Sequence, residues 1–192
     1  LIYIRETRAS KHKIKFLGKF SKNINKNNTV NKLLNLLDKK RLLKGKKFEI
    51  KIIKNIPQKS GMGGGSMNAS SIVKFFLIRK TINLSKKNIN NIMRSVGSDV
   101  PLGMSLKNTI MSKTGKLIIK EKKLGLYTLI VKPNFGCSTK YIYSKVRKFN
   151  KPKISQPNKK MFSLNYLKKM SNSLEPIVLS KYDKLRRIKL FL

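Results

Sequence analysis

The chain is poor in several residues from which functional sites are commonly built. It has one cysteine, Cys137, which excludes an internal disulfide framework and a cysteine-rich zinc site. Acidic residues number only 7, so a carboxylate held in a defined turn stands out. Long apolar runs are missing as well. Ile72–Ile78 and Leu126–Val131 are too short to span a bilayer, and Lys74 interrupts the first. No signal-peptide pattern opens the chain, and no internal repeat is present. A cytoplasmic protein with no membrane partner is the expectation.

The 192 residues are 40% apolar, which is enough to bury a core in one domain or two small ones and excludes a wholly disordered tail. Lys and Arg total 46, giving a formal net charge of +39. Only 8 of these are Arg, and they are accompanied by 18 Asn and 21 Ile, the excess that an AT-rich coding bias produces. A nucleic-acid groove would instead cluster Arg with aromatic residues on one face. Here lysines run through every segment, so the charge reads mainly as solvated surface and no nucleic-acid partner is expected. The field should still attract anions such as nucleotides. The first residue is Leu1, and the last helical pattern carries no stop signal, so both ends read as cut and the chain as an internal piece of a longer protein.

Apolar and polar residues alternate over Leu1–Thr7 and Lys13–Phe20, predicting two strands joined near Ala9–His12. Asn28 precedes Val30, Leu33, Leu34 and Leu37, the capped stripe of an amphipathic helix. Phe48, Ile50 and Ile52 alternate with Lys47, Glu49 and Lys51 in a strand that runs to Asn55 and stops at Pro57. Ile72, Phe75 and Phe76 have helical spacing, and a second helix runs from Ser85 to Gly97. Thr109–Lys113 and Lys116–Glu121 predict a hairpin about Thr114-Gly115, and Leu126–Lys132 a strand. Ser138 caps a helix carrying Ile142, Val146 and Phe149. Asn150–Lys160 reads as a linker, and Pro176–Leu192 as a final helix. The order implies an α+β protein with a domain change near Lys123–Leu126.

Two stretches carry chemistry. Four of the 11 glycines fall within Gly61-Met62-Gly63-Gly64-Gly65, between a strand and a helix and followed by Ser66. Such a loop lets backbone approach a ligand closely, and the unpaired amides and positive dipole end of the next helix suit a phosphate. It is not a Walker loop, since no Gly-Lys-Ser/Thr follows; the plain alternative is a flexible turn. The second stretch is Gly97-Ser98-Asp99-Val100-Pro101. Gly97 ends a helix and Pro101 forces Val100 extended, so the turn presents one carboxylate. On spacing alone, Asp99 reads as a helix cap. A phosphotransferase needs such a group to orient or deprotonate the accepting hydroxyl.

The stretch Asn55-Ile56-Pro57-Gln58-Lys59-Ser60-Gly61-Met62-Gly63-Gly64-Gly65-Ser66 resembles the phosphate loop of the GHMP kinases. Within them it is similar to the branch that phosphorylates a cytidine diphosphate conjugate of methylerythritol in non-mevalonate isoprenoid synthesis. Asn28-Thr29-Val30 resembles that branch's Asn-x-Val element near the nucleotide. Gly97-Ser98-Asp99-Val100-Pro101 resembles its Gly-x-Asp-Val-Pro motif, whose Asp is the catalytic acid/base. Ser138-Thr139-Lys140-Tyr141-Ile142-Tyr143-Ser144 resembles its Ser-Thr-Lys-x-x-Tyr-Ser segment, whose aromatic stacks on cytosine. Asn172-Ser173-Leu174-Glu175-Pro176 is similar to its Asn-Asp-Leu-Glu-Pro.

The resemblance implies a two-domain GHMP architecture truncated at both ends. Residues 1–124 would be the ATP-binding domain without its first strands, and 125–192 the start of the C-terminal domain. It implies ATP and Mg²⁺ as cofactors, with the metal ligands unassigned, and catalysis by Asp99. Pro57, Ser60, Gly61, Met62, Gly63, Gly64, Gly65, Ser66 and Asn28 would bind ATP, and Thr139 and Tyr143 the cytidine substrate. The alternatives are another GHMP small-molecule kinase or a basic nucleic-acid-binding α+β domain. The chain also departs from the family. Ser66-Met67-Asn68-Ala69-Ser70 stands where Ser-Ser-Asp-Ala-Ala is usual, so Asn68 is assigned no catalysis. The strand with the Lys that partners the catalytic Asp, the Tyr-His that grips cytidine and the Gly-Ser-Gly segment have no counterpart here.

Overall fold

The alternation over residues 47–53 becomes the central strand of a sheet. The computed structural model describes residues 1–58, 60–105, 107–112, 117–120, 124–131, 133, 135–147 and 158–192. They fall into two compact units, Leu1–Gln58 with Met62–Leu106 and Lys59–Gly61 with Lys107–Leu192.

The first unit holds strands β1 (Ile2–Thr7), β2 (Lys13–Leu17) and β3 (Lys47–Ile53) and helices α1 (Thr29–Lys39), α2 (Gly64–Ile78) and α3 (Lys86–Val96), followed by a 3₁₀ turn at Val100–Met104. The sheet order is β1-β3-β2. β1 lies antiparallel to β3, pairing Ile4 with Ile50, and β2 lies parallel to it, pairing Ile14 with Ile50. The two N-terminal strands are thus consecutive in sequence without being partners, because β3 inserts between them.

Side chains alternate across a strand, so Phe48, Ile50 and Ile52 share one face. All three are buried in one cluster with Leu33, Leu34 and Leu37 of α1, Ile72, Val73 and Phe76 of α2, and Met93 of α3. The rings of Phe48 and Phe76 lie 4.7 Å apart, tilted by 51°. Truncating a fully buried phenylalanine such as Phe76 to alanine costs about 3–5 kcal/mol. α1 is held at its start by the Asn28 side chain, which accepts from the amides of Val30 and Asn31.

In the second unit, β4 (Asn108–Met111) and β5 (Leu117–Lys120) form an antiparallel pair. The turn expected at Thr114-Gly115 lies outside the described residues, as does 150–157 of the expected linker. The division between units falls at residues 106–107, whereas composition marks the change at 124–125, so the two divisions differ in where they put β4 and β5. Three further helical segments are α4 (Thr139–Ser144), α5 (Leu164–Lys168) and α6 (Glu175–Lys181), and α7 (Asp183–Phe191) closes the chain.

Four expectations need correction. Val100, expected to be extended before Pro101, opens the 3₁₀ turn, and the helix capped by Ser138 ends at Ser144, short of Val146. No strand forms over the described residues 124–131, where Tyr127, Leu129 and Ile130 are exposed; a strand exists only with a hydrogen-bonding neighbour, and none of the described residues supplies one. The single helix expected from Pro176 to Leu192 is two helices, broken at Tyr182, whose backbone is not helical (φ −119°, ψ 85°). Asp183 then opens α7 and takes Arg186 at 2.6 Å and Arg187 at 2.8 Å on its carboxylate, a first-turn arrangement that suits a helix start.

Candidate phosphate and catalytic site

Two helices of the first unit begin at the same place. Gly63 precedes α2 in the left-handed conformation, φ 65°, which a residue with a Cβ adopts at a cost. The next two glycines are needed for closeness instead. A Cβ on Gly64 would lie 3.3 Å from Ile56 Cγ2, and one on Gly65 would lie 3.1 Å from Thr29 Oγ1 at the start of α1. The first turn of α2 therefore abuts the first turn of α1.

The chemistry of this place is positive. The first hydrogen bond within α2 runs from the Met67 amide to the Gly63 carbonyl, so the amides of Gly64, Gly65 and Ser66 have no acceptor inside the helix. No side chain caps α2, and neither α1 nor α2 carries an acidic residue in its first turn. Both dipole ends are thus uncompensated by any local carboxylate.

Lys54 adds a full charge. It is 9% exposed, and its Nζ lies 3.5 Å from where a Cβ on Gly64 would stand. Burial holds its ammonium pKa below the ordinary lysine value. Sequence reasoning passed over this residue although the signal was present. Position 54 has the parity of Phe48, Ile50 and Ile52, so the lysine sits where the buried face of β3 continues.

Asp99 lies in the turn between α3 and the 3₁₀ segment. It is exposed, and its Oδ1 accepts from Ser98 Oγ at 3.1 Å. The cap expected from spacing is not formed, since Asp99 makes no side-chain hydrogen bond to the following turn. The backbone fixes it instead: the Val100 amide donates to Gly97 O at 3.1 Å and the Leu102 amide to Asp99 O at 3.2 Å. Next to it Val100 and Pro101 are buried, and buried Ser70 of α2 donates to the Val100 carbonyl. Gly103 packs so tightly on α2 that a Cβ there would fall 2.5 Å from Ser70 Oγ. The turn that presents Asp99 is therefore fastened to the helix that starts at Gly64.

The structure gathers Asn28, Gly63, Gly64, Gly65 and Ser66 into one locale and packs the Asp99 turn against the same helix. Asn28 itself is occupied as a cap, its Nδ2 donating to Asn25 O at 2.9 Å; its neighbour Thr29 is the residue that touches the loop. Ser60 and Gly61 belong to the second unit, while Pro57 and Met62 belong to the first. Thr139 and Tyr143 lie on α4 in the second unit. Tyr143 is 53% exposed, free to offer a ring face, and α4 is capped by Ser138, which accepts from the Tyr141 amide at 3.3 Å. Lys145 and Lys181 lie 5.5 Å and 5.0 Å from the centre of the Tyr141 ring. Among the described residues no three His, Cys, Asp or Glu side chains converge to hold a metal ion.

Residues 28–107 match the family model for the GHMP kinases N terminal domain. The chain is 51% identical over 191 residues to the 4-diphosphocytidyl-2-C-methyl-D-erythritol kinase of Pelagibacter ubique strain HTCC1062, covering 100% of this chain and 68% of that protein. It is 31% identical to the enzyme of the same name from Wolbachia pipientis wMel, covering 92% of this chain and 62% of the relative. A crystal structure of 4-(cytidine 5'-diphospho)-2C-methyl-D-erythritol kinase shares its fold, with a TM-score of 0.62 at 18% identity over 97% of this chain and 66% of the other. The chain spans about two thirds of the length of these relatives. With the glycine loop, the Asp99 turn and the Tyr143 helix in the order of the resemblance, the chain belongs to the 4-diphosphocytidyl-2-C-methyl-D-erythritol kinases, within the GHMP kinases.

Proposed function

We propose that this chain carries out the ATP-dependent phosphorylation of the 2-hydroxyl of 4-diphosphocytidyl-2-C-methyl-D-erythritol, a step of non-mevalonate isoprenoid synthesis in the cytoplasm. The observation that carries the reading is the whole-length identity of 51% to a relative of that name. The uncapped start of α2 supports it independently, because three amides without intrahelical acceptors form a cradle for the β- and γ-phosphates.

The chain's own residues divide the work. The backbone of Gly63, Gly64, Gly65 and Ser66 holds the nucleotide phosphates. Asp99 accepts or orients the proton of the substrate hydroxyl, whose oxygen forms a bond to the γ-phosphorus as the bond to the ADP oxygen breaks. Positioning and charge neutralisation supply most of the acceleration in such transfers. Tyr143 stacks on the cytosine ring, with Thr139 beside it on the same helix. Magnesium would come with ATP and would neutralise charge on the transferring phosphates; no residue is assigned to hold it. Residues 1–124 act as the nucleotide domain and 125–192 as the start of the substrate domain.

The test is ADP release by the full-length protein. It should depend on 4-diphosphocytidyl-2-C-methyl-D-erythritol and be absent with other small alcohols such as galactose, homoserine or mevalonate. Equal or faster release with one of those would assign the chain to a different GHMP reaction.

A further inference from the structure

The motif Asn172-Ser173-Leu174-Glu175-Pro176 starts a helical hairpin within the second unit. Asn172 Oδ1 accepts from the Leu174 amide at 3.0 Å, and Asn172 O from the Glu175 amide at 2.9 Å. Glu175 and Pro176 then open α6. From the far end of α7, Lys189 Nζ returns to within 2.8 Å of Glu175 Oε1. In a straight helix positions 175 and 189 would stand roughly 21 Å apart along the axis, so this pair requires the reversal at Tyr182.

The corner of the hairpin touches the helix that carries the stacking ring. The Tyr182 ring stacks on Phe135, 5.4 Å away and 20° from parallel, just ahead of the Ser138 cap of α4. Next to it, Lys181 Nζ lies 5.0 Å from the centre of the Tyr141 ring, and Lys145 Nζ lies 5.5 Å from the same centre. Each ammonium is attracted by the ring's negative face. Tyr141 is half-buried, Ile142 beside it is buried, and Tyr143 is exposed. Residues two apart on a helix point roughly 200° away from each other. The Tyr141 ring is thus turned to the hairpin and the Tyr143 ring away from it.

A helix of 6 residues has little stability of its own, so contacts must fix how α4 is rolled about its axis. We infer that Tyr141 is a positioning residue for the cytidine substrate: gripped by Lys181 at the hairpin corner and by Lys145, it fixes the roll of α4 that aims Tyr143 at the base. This rests on reading Tyr143 as the ring that stacks on cytosine. Tyr141 itself touches no substrate and acts through Tyr143. A helix free to roll would have to be ordered at each binding event, and that cost would fall on substrate affinity. Neither the phosphoryl transfer step nor the nucleotide depends on it. The hairpin that the Asn172–Pro176 motif starts is, on this account, the platform for the substrate helix.

The experiment measures kcat and the KM of each substrate for the full-length protein and its variants. Tyr141→Leu removes the ring face and Tyr141→Phe keeps it. Lys181→Met removes the cation at similar length, and Tyr143→Ala removes the stacking ring. The KM for 4-diphosphocytidyl-2-C-methyl-D-erythritol should rise roughly 2- to 5-fold in Lys181→Met, the worth of one exposed cation–π contact. In Tyr141→Leu, which loses both contacts, it should rise roughly 5- to 25-fold. The KM for ATP and kcat should not change, and Tyr141→Phe should restore the wild-type KM. Combined with Tyr143→Ala, neither change should raise the KM further, because the ring through which it acts is gone. If Tyr141→Leu fails to fold, Lys181→Met, an exposed side chain, carries the test. A wild-type KM in Lys181→Met and Tyr141→Leu would overturn the inference and leave the stacking reading standing. So would a full further rise in the Tyr143→Ala background, or a loss of kcat and ATP affinity in step, which would make Tyr141 a packing residue. A wild-type KM in Tyr143→Ala alone would overturn the stacking reading itself, and the inference with it.

Discussion

The Ser70 hydroxyl donates to the carbonyl of Val100, and this one bond joins the helix that begins at the glycine loop to the turn that presents Asp99. Ser70 is fully buried, and its Oγ also lies 2.9 Å from Ser66 O one turn back in α2. Gly103 closes the same contact from the other side. The separation between phosphate loop and carboxylate is therefore set by a short, dry contact within one unit.

Ser70→Ala leaves the Val100 carbonyl buried without this donor, which costs about 1–3 kcal/mol. The expected result is a lower midpoint in denaturant unfolding together with slower turnover. Gly103→Ala should destabilise as well, since its Cβ would meet Ser70 Oγ at 2.5 Å and Ser70 Cβ at 2.6 Å. The double variant Ser70→Gly/Gly103→Ala should recover part of the stability lost by Gly103→Ala alone. Additive losses would show that the two residues do not share a contact.

Asp99→Asn separates catalysis from architecture. The carboxylate is exposed and makes no cap, so melting temperature and the affinities for both substrates should be retained. Turnover should fall by roughly 10²–10⁴-fold, the scale of a positioned acid/base group. Near-normal turnover would make Asp99 a turn residue only.

Tyr143→Ala tests substrate choice. A side chain 53% exposed contributes little packing, so stability should not move. Affinity for the cytidine substrate should weaken by about 1–3 kcal/mol, the scale of base–aromatic stacking, while ATP affinity stays the same. Equal weakening of both ligands would remove the cytosine assignment.

The Asp38 cluster gives a pH dependence. Burial by itself would raise the Asp38 carboxyl, but the Lys47 ammonium at 2.6 Å and His12 Nε2 at 3.1 Å outweigh it and hold the pKa below 3.8. The Phe48 amide donates to His12 Nδ1 at 3.0 Å, which leaves Nε2–H to face Asp38. A carboxyl whose pKa is lower folded than unfolded stabilises fully above the unfolded value and loses that contribution as pH falls through the folded one. Asp38→Asn should therefore reduce stability at neutral pH, and in acid unfolding the gap to wild type should narrow as pH falls below 3.8 and close once the folded carboxyl is protonated. A gap that persists there would assign the loss to packing.

Where a segment's fate depends on its own period, the sequence already displays it. The stripe Val30, Leu33, Leu34 and Leu37 and the alternation from Lys47 to Ile52 both reappear as buried faces, and the glycine cluster reappears as the start of α2. Where it depends on a neighbour, the pattern is silent. Nothing in Ile2–Thr7 or Lys13–Leu17 says that β3 will lie between them. The apolar run 126–131 has the composition of a strand without a described partner. Lys54 was hidden by its type: a lysine after a strand reads as the return to solvent, and only the packing of α2 over it makes it buried. The break at Tyr182 was masked because Ile177, Leu185 and Ile188 keep helical spacing across it, while the Asp183 ion pairs that start α7 act over three and four residues.

Phosphoryl transfer followed by phosphorus NMR tests the central claim most directly. Full-length protein, ATP and 4-diphosphocytidyl-2-C-methyl-D-erythritol should yield ADP and one new monoester phosphorus on the 2-oxygen of the methylerythritol, with the cytidine diphosphate signals intact. The Asp99→Asn protein should form the same product slowly. A phosphate on any other oxygen, or ADP formed with no new ester, would contradict the account.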